Sequence, residues 1–247
     1  MKRFLMLAAC LGLLVAAIAG AGVMPALGDD DHGDGGPRGD GSAASCTNTG
    51  ATGASGATGV RRSDDARESR VLDGSRDGTG RGEQLDGDER DNAVNGNGGD
   101  DHIDGQRGND HLRGGEGDDD LCGDDGDDDL EGGHGKDALS GGAGADRLKG
   151  DSGDDELDGG PGDDDLNGGS GADDIHGDGG NDHLAGGPGN DLLSGGAGKD
   201  IIASGAGKDT IGARDGKRDR INCGAGVDTV TADAVDKVAK NCEHVAR

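Results

Sequence analysis

The sequence predicts an all-β fold in which short parallel strands stack into a solenoid. A unit of nine residues repeats thirteen times without a gap from Gly96 to Gly212. When its positions are numbered 1 to 9, every unit has Gly at position 4, Asp at position 6 and Leu or Ile at position 8. Low complexity alone would produce this composition but would not hold three positions in one phase. We therefore interpret the nonad as a structural unit.

Each nonad supplies one turn and one strand. Glycine, which is frequent at positions 1, 2 and 4, allows backbone angles that are closed to other residues. Positions 7 to 9 form a minimal strand in which only position 8 points inward. Two nonads then complete one flattened coil, so residues eighteen apart stack at one strand spacing of about 4.8 Å. We expect two parallel sheets around a core that runs from Ile103 to Ile211.

The aspartates at position 6 are candidate metal ligands, because stacking places them in one column on each edge of the solenoid. Two carboxylates about 4.8 Å apart repel by roughly 3–4 kcal/mol at an effective dielectric constant near 20, and no basic column in fixed phase neutralises them. Ca²⁺ suits the site, because it takes about six to eight oxygens from carboxylates and backbone carbonyls. Mg²⁺ demands a tighter octahedron, and transition metals prefer His or Cys, which have no fixed phase here.

These considerations give two sets of candidate ligands. The carboxylates are those of Asp101, Asp110, Asp119, Asp128, Asp137, Asp146, Asp155, Asp164, Asp173, Asp182, Asp191, Asp200 and Asp209. The position-4 glycines whose turns would present carbonyl oxygens are Gly99, Gly108, Gly117, Gly126, Gly135, Gly144, Gly153, Gly162, Gly171, Gly180, Gly189, Gly198 and Gly207.

The nonad pattern, which begins with Gly96–Asp104, resembles the RTX or hemolysin-type calcium-binding repeat family. The resemblance implies a right-handed parallel β-roll in a secreted bacterial protein. It also implies that each Ca²⁺ lies between a loop and the loop two repeats later, which leaves eleven gaps among thirteen loops. A core of one aliphatic residue per nonad falls short of the entropic cost of ordering the chain. We therefore expect the repeats to be disordered without metal and to fold on binding several Ca²⁺ ions.

Composition excludes several classes of partner. The formal net charge is −28, which argues against nucleic acid or an anionic membrane surface as a partner. Phe4 is the only aromatic residue, so a chain that has lost its first residues has no ring on which a base could stack. We expect calcium ions as partners and identify no protein partner.

Residues 1–28 are predicted to be a signal peptide. Met1-Lys2-Arg3 is basic, an apolar run follows, and Ala19-Gly20-Ala21 offers a cleavage site with small residues. A retained membrane anchor is the alternative interpretation, and Leu7-Ala8-Ala9-Cys10 resembles a lipobox placed early in the apolar run. The RTX toxins and proteases usually carry a C-terminal secretion signal instead, which puts their export route in doubt here. We expect a secreted, extracellular chain without a membrane span after cleavage.

Two further segments precede the repeats. Residues 29–77 lack periodicity and are rich in Asp, Gly, Ser, Thr and Ala, which predicts a disordered linker. Residues 78–95 form two degenerate nonads in register, with Glu83 and Asn92 in place of Asp and with Arg81 and Arg90 in place of Gly. We expect them to cap the N-terminal end and to bind metal poorly, since solenoids need atypical ends.

Residues 213–247 are predicted to form a small C-terminal cap. One residue is inserted after Gly212, and the pattern then resumes with Asp219 and Asp228 as weaker metal candidates. Cover for the open end of the solenoid is expected from Val230, Val235, Val238 and Val245. Leu192 and Ile201, at the outward position 7, are either covered by this tail or simply exposed.

The cysteines of an exported chain are expected to form disulfides. Cys223 and Cys242 bracket the cap and are predicted to pair. Cys122 is predicted at an outward position, and Cys46 and Cys122 either form a second bridge or remain free thiols.

No catalytic constellation stands out from the repeats. Gly150-Asp151-Ser152-Gly153 resembles the string around a protease nucleophile, but it lies in phase within a nonad, and the non-repeat remainder is too short for a catalytic domain. We expect a non-enzymatic secreted protein that binds calcium. The alternative is a structural or adhesive protein of the cell envelope that calcium stiffens.

Overall fold

The structure is a computed structural model that describes residues 75–247, and it contains only strands, turns and bends. The strands in chain order are β1 (Ser75–Asp77), β2 (Gln84–Asp86), β3 (Ala93–Gly98), β4 (His102–Asp104), β5 (His111–Glu116), β6 (Asp120–Asp125), β7 (Asp129–His134), β8 (Ala138–Ala143), β9 (Arg147–Ser152), β10 (Glu156–Asp158), β11 (Asp165–Ser170), β12 (Asp174–His176), β13 (Gly179–Gly180), β14 (His183–Pro188), β15 (Leu192–Ser194), β16 (Ala197–Gly198), β17 (Ile201–Gly207), β18 (Thr210–Ala213), β19 (Arg220–Asn222), β20 (Ala225–Gly226), β21 (Thr229–Ala232), β22 (Lys237–Val238) and β23 (His244–Ala246).

Successive strands alternate between two large parallel sheets, as the nonad predicts. The first sheet has the order β1-β3-β5-β7-β9-β11-β14-β17-β19-β22, with β20 paired to β17, and the second has the order β2-β4-β6-β8-β10-β12-β15-β18-β21-β23. A small third sheet joins β13 to β16. The chain therefore winds into a parallel β-solenoid of about nine coils, and the predicted fold class is confirmed.

The register repeats every eighteen residues through the body of the solenoid. Leu112 lies beside Leu130 in the first sheet, and Leu139 lies beside Leu157 in the second. After Gly212 the offset becomes nineteen, with Ile202 beside Ile221, because one residue is inserted there. The sequence predicted these two offsets but not those of the last coil, which are seventeen for Ile221 beside Val238 and fifteen for Val230 beside Val245.

The core is the column of position-8 residues. The Leu and Ile side chains from Ile103 to Ile211 are buried, most of them completely, and Val94, Ile221 and Val230 continue the column toward the two ends. Residues at positions 7 and 9 point outward, as alternation along a strand requires. Leu192 and Ile201 are 44% and 39% exposed, so the tail leaves both of them open to solvent.

The ends of the solenoid differ from the sequence predictions in two respects. Strand β1 lies within the last three residues of the segment 29–77 that was predicted to be linker, and it pairs with β3. In the C-terminal segment, Val230 is buried and Val238 packs against the core, but Val235 and Val245 are 46% and 37% exposed. The prediction that these two valines cover the end was wrong, because Val235 lies in a turn and β23, which contains Val245, buries none of its side chains.

The cysteines were predicted correctly in part. Cys223 and Cys242 form a disulfide. Cys122, at position 9, is buried and disulfide-bonded, so of the two alternatives left open for this residue the free thiol was wrong. Cys46, the predicted signal peptide 1–28 and the predicted linker up to residue 74 lie outside the described residues. No helix in the described part of the chain is long and apolar enough to cross a bilayer.

Candidate metal sites in the turns

The position-6 aspartates lie in two buried columns, one on each edge of the solenoid. All thirteen side chains, from Asp101 to Asp209, are at most 3% exposed. Side chains alternate along a strand, so position 6 lies on the same inner side as position 8 and its side chain does not reach solvent. The structure thus brings the predicted carboxylates together in register, eighteen residues apart.

One carboxylate oxygen of each aspartate is bound by the backbone of the preceding coil. The N–H of Asp101 donates to Oδ1 of Asp119, and the N–H of Asp119 donates to Oδ1 of Asp137, at 2.8 and 2.9 Å. The same bond recurs along both edges as far as Asp228, with distances of 2.7–3.1 Å. Sequence analysis predicted only stacked carboxylates, because the side-chain pattern carries no information about where the backbone N–H groups point.

The second oxygen of each aspartate is buried and has no hydrogen-bond partner within residues 75–247. This holds for Oδ2 of all thirteen predicted aspartates and of Asp219 and Asp228. A buried carboxylate oxygen without a partner is costly, since burial removes its water without a replacement. Fifteen such atoms in one periodic arrangement indicate positions that a cation would satisfy.

Burial also changes the acidity of these groups. It raises the pKa of Asp137 to about 7, against the lowering effect of the hydrogen bond from the Asp119 N–H, and the carboxylates of Asp155 and Asp119 raise it further. The pKa of Asp146 is likewise raised to about 7, and that of Asp128 to about 6, chiefly by burial. Such shifts mark carboxylates whose charged form lacks compensation.

Backbone carbonyl oxygens converge on the unpartnered carboxylate oxygens. A Cβ placed on Gly177, at position 1, would lie 2.6 Å from the carbonyl oxygen of Gly195 and 2.8 Å from Oδ2 of Asp182. The equivalent point on Gly141 lies 2.5 Å from Oδ2 of Asp146. That point is one bond length from Cα, so it marks where the oxygens converge and is not itself an ion position. The position-1 carbonyls are thus further candidate ligands that sequence analysis did not identify.

The position-4 glycines, whose carbonyls were predicted as ligands, approach each other closely along the axis. A Cβ on Gly126 would overlap the carbonyl oxygen of Gly108 and would lie 3.2 Å from Oδ1 of Asp128. The backbone of Gly126 has a φ of 153°, a conformation that other residues rarely adopt. These carbonyls point from one loop toward the next, beside the aspartate column.

Any cation here would be shared between carboxylates and carbonyls. Within residues 75–247, no group of three or more His, Cys, Asp or Glu side chains is arranged to hold a metal ion. A donor set of this kind suits Ca²⁺, which accepts carbonyl oxygens and irregular geometry, better than it suits Zn²⁺, which takes His and Cys. The residues present therefore fit calcium.

In the two degenerate nonads, the position-6 side chains of Glu83 and Asn92 are hydrogen-bonded within their own loops. Both carboxylate oxygens of Glu83 accept hydrogen bonds from Thr79, one from its N–H and one from its hydroxyl. Oδ1 of Asn92 accepts the N–H of Asp88, and its amide group donates to the carbonyl of Arg90. These loops leave no unpartnered oxygen at position 6, which accords with the predicted weak metal binding of residues 78–95.

Comparison with known families decides the relationship. The RTX calcium-binding nonapeptide repeat (4 copies) matches residues 77–112, 86–121, 95–130, 113–148, 140–175 and 176–211. The chain belongs to the RTX repeat family. The matches cover the thirteen regular nonads, whose aspartates have an unpartnered Oδ2, and the two degenerate nonads before them. They end before Asp219. No curated protein matches the chain.

Proposed function

We propose that this RTX protein is exported, binds several Ca²⁺ ions in its turns, folds as it binds them, and has no catalytic role. The observation that carries the proposal is the repeated buried Oδ2 atom without a partner on each position-6 aspartate. RTX repeats bind calcium in general and are typically structural or calcium-binding domains. The proposed ligands are the position-6 carboxylates with the position-4 and position-1 carbonyls.

Folding on calcium follows from the charge arrangement. Residues 96–212 hold 31 acidic and 7 basic residues, a net charge of −24, and thirteen of the acids are buried in two columns. Without a cation, the ionised columns oppose the coil stack. Divalent ions between the loops convert this repulsion into attraction, so binding and folding become one process.

Circular dichroism of residues 29–247 tests this proposal. In metal-free buffer at neutral pH we expect a spectrum of a largely unfolded chain, and on addition of CaCl₂ a cooperative change to a β spectrum. MgCl₂ at the same concentration should be much less effective, because Mg²⁺ gives up its waters reluctantly. A β spectrum that persists in metal-free buffer would contradict folding on calcium, and equilibrium dialysis that finds no bound calcium would contradict the function itself.

Export is the second part of the proposal. It is supported by the basic and apolar composition of residues 1–28 and by the general secretion of RTX repeat proteins. Mass spectrometry of the protein from culture medium and from the cell envelope tests it, and the expected result is a processed chain in the medium. An intact chain that remains in the envelope would favour the calcium-stiffened structural protein instead.

A further inference from the structure

The loop Cys223–Asp228 lies beyond the segments that match the RTX family but has the same geometry as an RTX turn. Gly226 has a φ of 152°, and a Cβ there would overlap the carbonyl oxygen of Gly207 and lie 3.2 Å from Oδ1 of Asp228. Gly207, in the last regular nonad, has a φ of 154°, and a Cβ there would make the same overlap with Gly189. The backbone at Gly226 therefore continues the turn column by one more coil.

Asp228, like the position-6 aspartates of the repeats, has one buried carboxylate oxygen without a hydrogen-bond partner. Its side chain is fully buried, and its Oδ1 accepts the N–H of Asp209 at 3.0 Å. Its Oδ2 has no partner among the described residues. The unpartnered atom thus belongs to a buried carboxyl group at the same position of the turn as those of the repeats.

A second carboxylate lies over this loop. Oε2 of Glu243 accepts the N–H of Asp228 at 3.0 Å, so Glu243 occupies the place that the next aspartate of the column would take. Strand pairing supports this placement of Glu243, because β23, which follows it, pairs with β21, which follows Asp228, and Val245 lies beside Val230. Glu243 is exposed, which leaves its other oxygen free to turn toward the loop.

The Cys223–Cys242 disulfide links the Cys223–Asp228 loop to the residue that precedes Glu243. Cys223 opens the loop at position 1, and its partner Cys242 immediately precedes Glu243. The Cys223 side of the bond is fully buried, and the Cys223 carbonyl accepts the hydroxyl of Ser204 at 3.0 Å, which ties the loop to the coil below. The bond therefore holds Glu243 in position over Asp228.

The other column of aspartates, which ends with Asp219, has a different C-terminal end. The turn before Asp219 has Lys217 where the repeats have Gly, and the N–H of Gly198 donates to the side chain of Asp215 instead of to a backbone carbonyl. Above it, both oxygens of Asp236 are used, by the N–H groups of Asp219 and Asp233. The last carboxylate of that edge is therefore satisfied by protein groups, although Oδ2 of Asp219 below it has no partner among the described residues.

We propose that Asp228, Glu243 and the carbonyls of the Cys223–Asp228 turn form a terminal site for a hard divalent cation, and that the Cys223–Cys242 disulfide closes it. The site rests on the proposed function, because it requires that the regular turns bind calcium. It adds one ion outside the matched repeats and makes the affinity for that ion depend on the redox state of one cysteine pair.

The test counts bound calcium by equilibrium dialysis of the folded chain and of three variants. Asp228→Asn keeps the shape and the Oδ1 acceptor, so we expect one ion fewer with the β spectrum retained. Glu243→Gln should weaken one ion, by about tenfold, without loss of the others. Glu116→Gln removes an exposed acid of the rod and should leave the count unchanged.

The double variant Cys223→Ser/Cys242→Ser tests the role of the disulfide and leaves the disulfide of Cys122 intact. We expect it to weaken one ion by about tenfold, equal to about 1.4 kcal/mol. An unchanged count in Asp228→Asn would overturn the terminal site, and unchanged affinities in the double variant would overturn its closure by the disulfide. If the parent chain binds no calcium, it is the proposed function that fails.

Discussion

At the scale of the residue, the position-6 aspartate divides its two oxygens between two tasks. Oδ1 secures the coil below through a backbone N–H, as in the bond from Asp146 to Asp164 at 2.8 Å. Oδ2 has no partner among the described residues, and in the proposed function it binds a cation. In the degenerate nonads, by contrast, the side chains of Asn92 and Glu83 accept hydrogen bonds within their own loops.

Adjacent aspartates in one nonad provide a matched comparison. Asp164 is buried at position 6, whereas Asp165 is exposed at position 7, where it faces Arg147 at 3.9 Å. Asp164→Asn should raise the calcium concentration at the folding midpoint, because two neighbouring gaps lose a charged ligand. Asp165→Asn should shift it little, since an exposed ion pair contributes about 0–1 kcal/mol. Calcium titrations followed by circular dichroism decide the matter, and equal shifts would refute the assigned register.

The raised pKa values predict opposite pH effects without and with calcium. Burial raises the pKa of Asp137 and Asp146 to about 7 and that of Asp155 to about 6, from a value of 3.8. The folded state therefore holds protons that the unfolded state has lost. Metal-free stability should be greatest below about pH 4 and should fall as pH rises to about 7.

Calcium binding should show the reverse dependence, because the ion requires ionised carboxylates. We expect the apparent affinity to decrease as pH falls from 7 to 5. Circular dichroism across this range in metal-free and in calcium buffer measures both effects, with sedimentation velocity to confirm that the chain stays monomeric. A metal-free fold that gains stability with rising pH would contradict the argument.

At the scale of the element, the turn is set by how closely two backbones approach. Gly180 at position 4 lies against the carbonyl of Gly162, whereas its neighbour Gly179 has open space where a Cβ would stand. The residues one coil away from Gly179 are Pro161 and Ala197, so position 3 already accepts side chains.

This difference predicts contrasting effects of two adjacent substitutions. Gly180→Ala should destabilise the calcium-bound rod by several kcal/mol, because its Cβ overlaps backbone and its φ of 156° is unfavourable for alanine. Gly179→Ala should be close to neutral. Thermal unfolding at fixed calcium measures both, and a tolerant Gly180→Ala would mean that the coils can move apart without cost.

At the scale of the whole molecule, the coils contact only their neighbours, so the ends control the stability of the stack. The C-terminal end is closed by β22, β23 and the Cys223–Cys242 disulfide, whereas the N-terminal end begins at β1. A disulfide that spans about twenty residues is worth roughly 3 kcal/mol through the unfolded state. The closed end is therefore the place from which ordered coils can extend.

Truncation of each end tests this asymmetry. In chains that carry Cys122→Ser, removal of residues 213–247 should raise the calcium needed for folding far more than removal of residues 29–74, which leaves β1 intact but takes away Cys46. Calcium titrations of the two shortened chains measure the difference. If the chain that lacks its cap folds at the calcium concentration of the full chain, then residues 213–247 are not a folding cap.

Periodicity explains which features the sequence could predict. The inward place of Leu157 and the stacking of Asp155 on Asp137 follow from phase alone, and so does the eighteen-residue register. The N–H to Oδ1 bonds and the position-1 carbonyls could not be predicted, because backbone directions are invisible in a side-chain pattern. The cap was the least predictable part: without a repeat, nothing in the sequence shows that Val235 and Val245 stay exposed.

The sequential order of strands has a mechanical consequence. Each coil of eighteen residues occupies about 4.8 Å of the rod axis but spans roughly 60 Å when pulled straight. A load applied between the two ends runs along the inter-strand hydrogen bonds, so coils should peel off singly, each one lengthening the tether by about 55 Å. The crosslink at Cys223–Cys242 prevents the last loop from opening under tension. Because Cys122 is also disulfide-bonded, and the cysteines left to pair with it precede β1 in the sequence, a load on the two ends should extend the coils between Cys122 and Cys223.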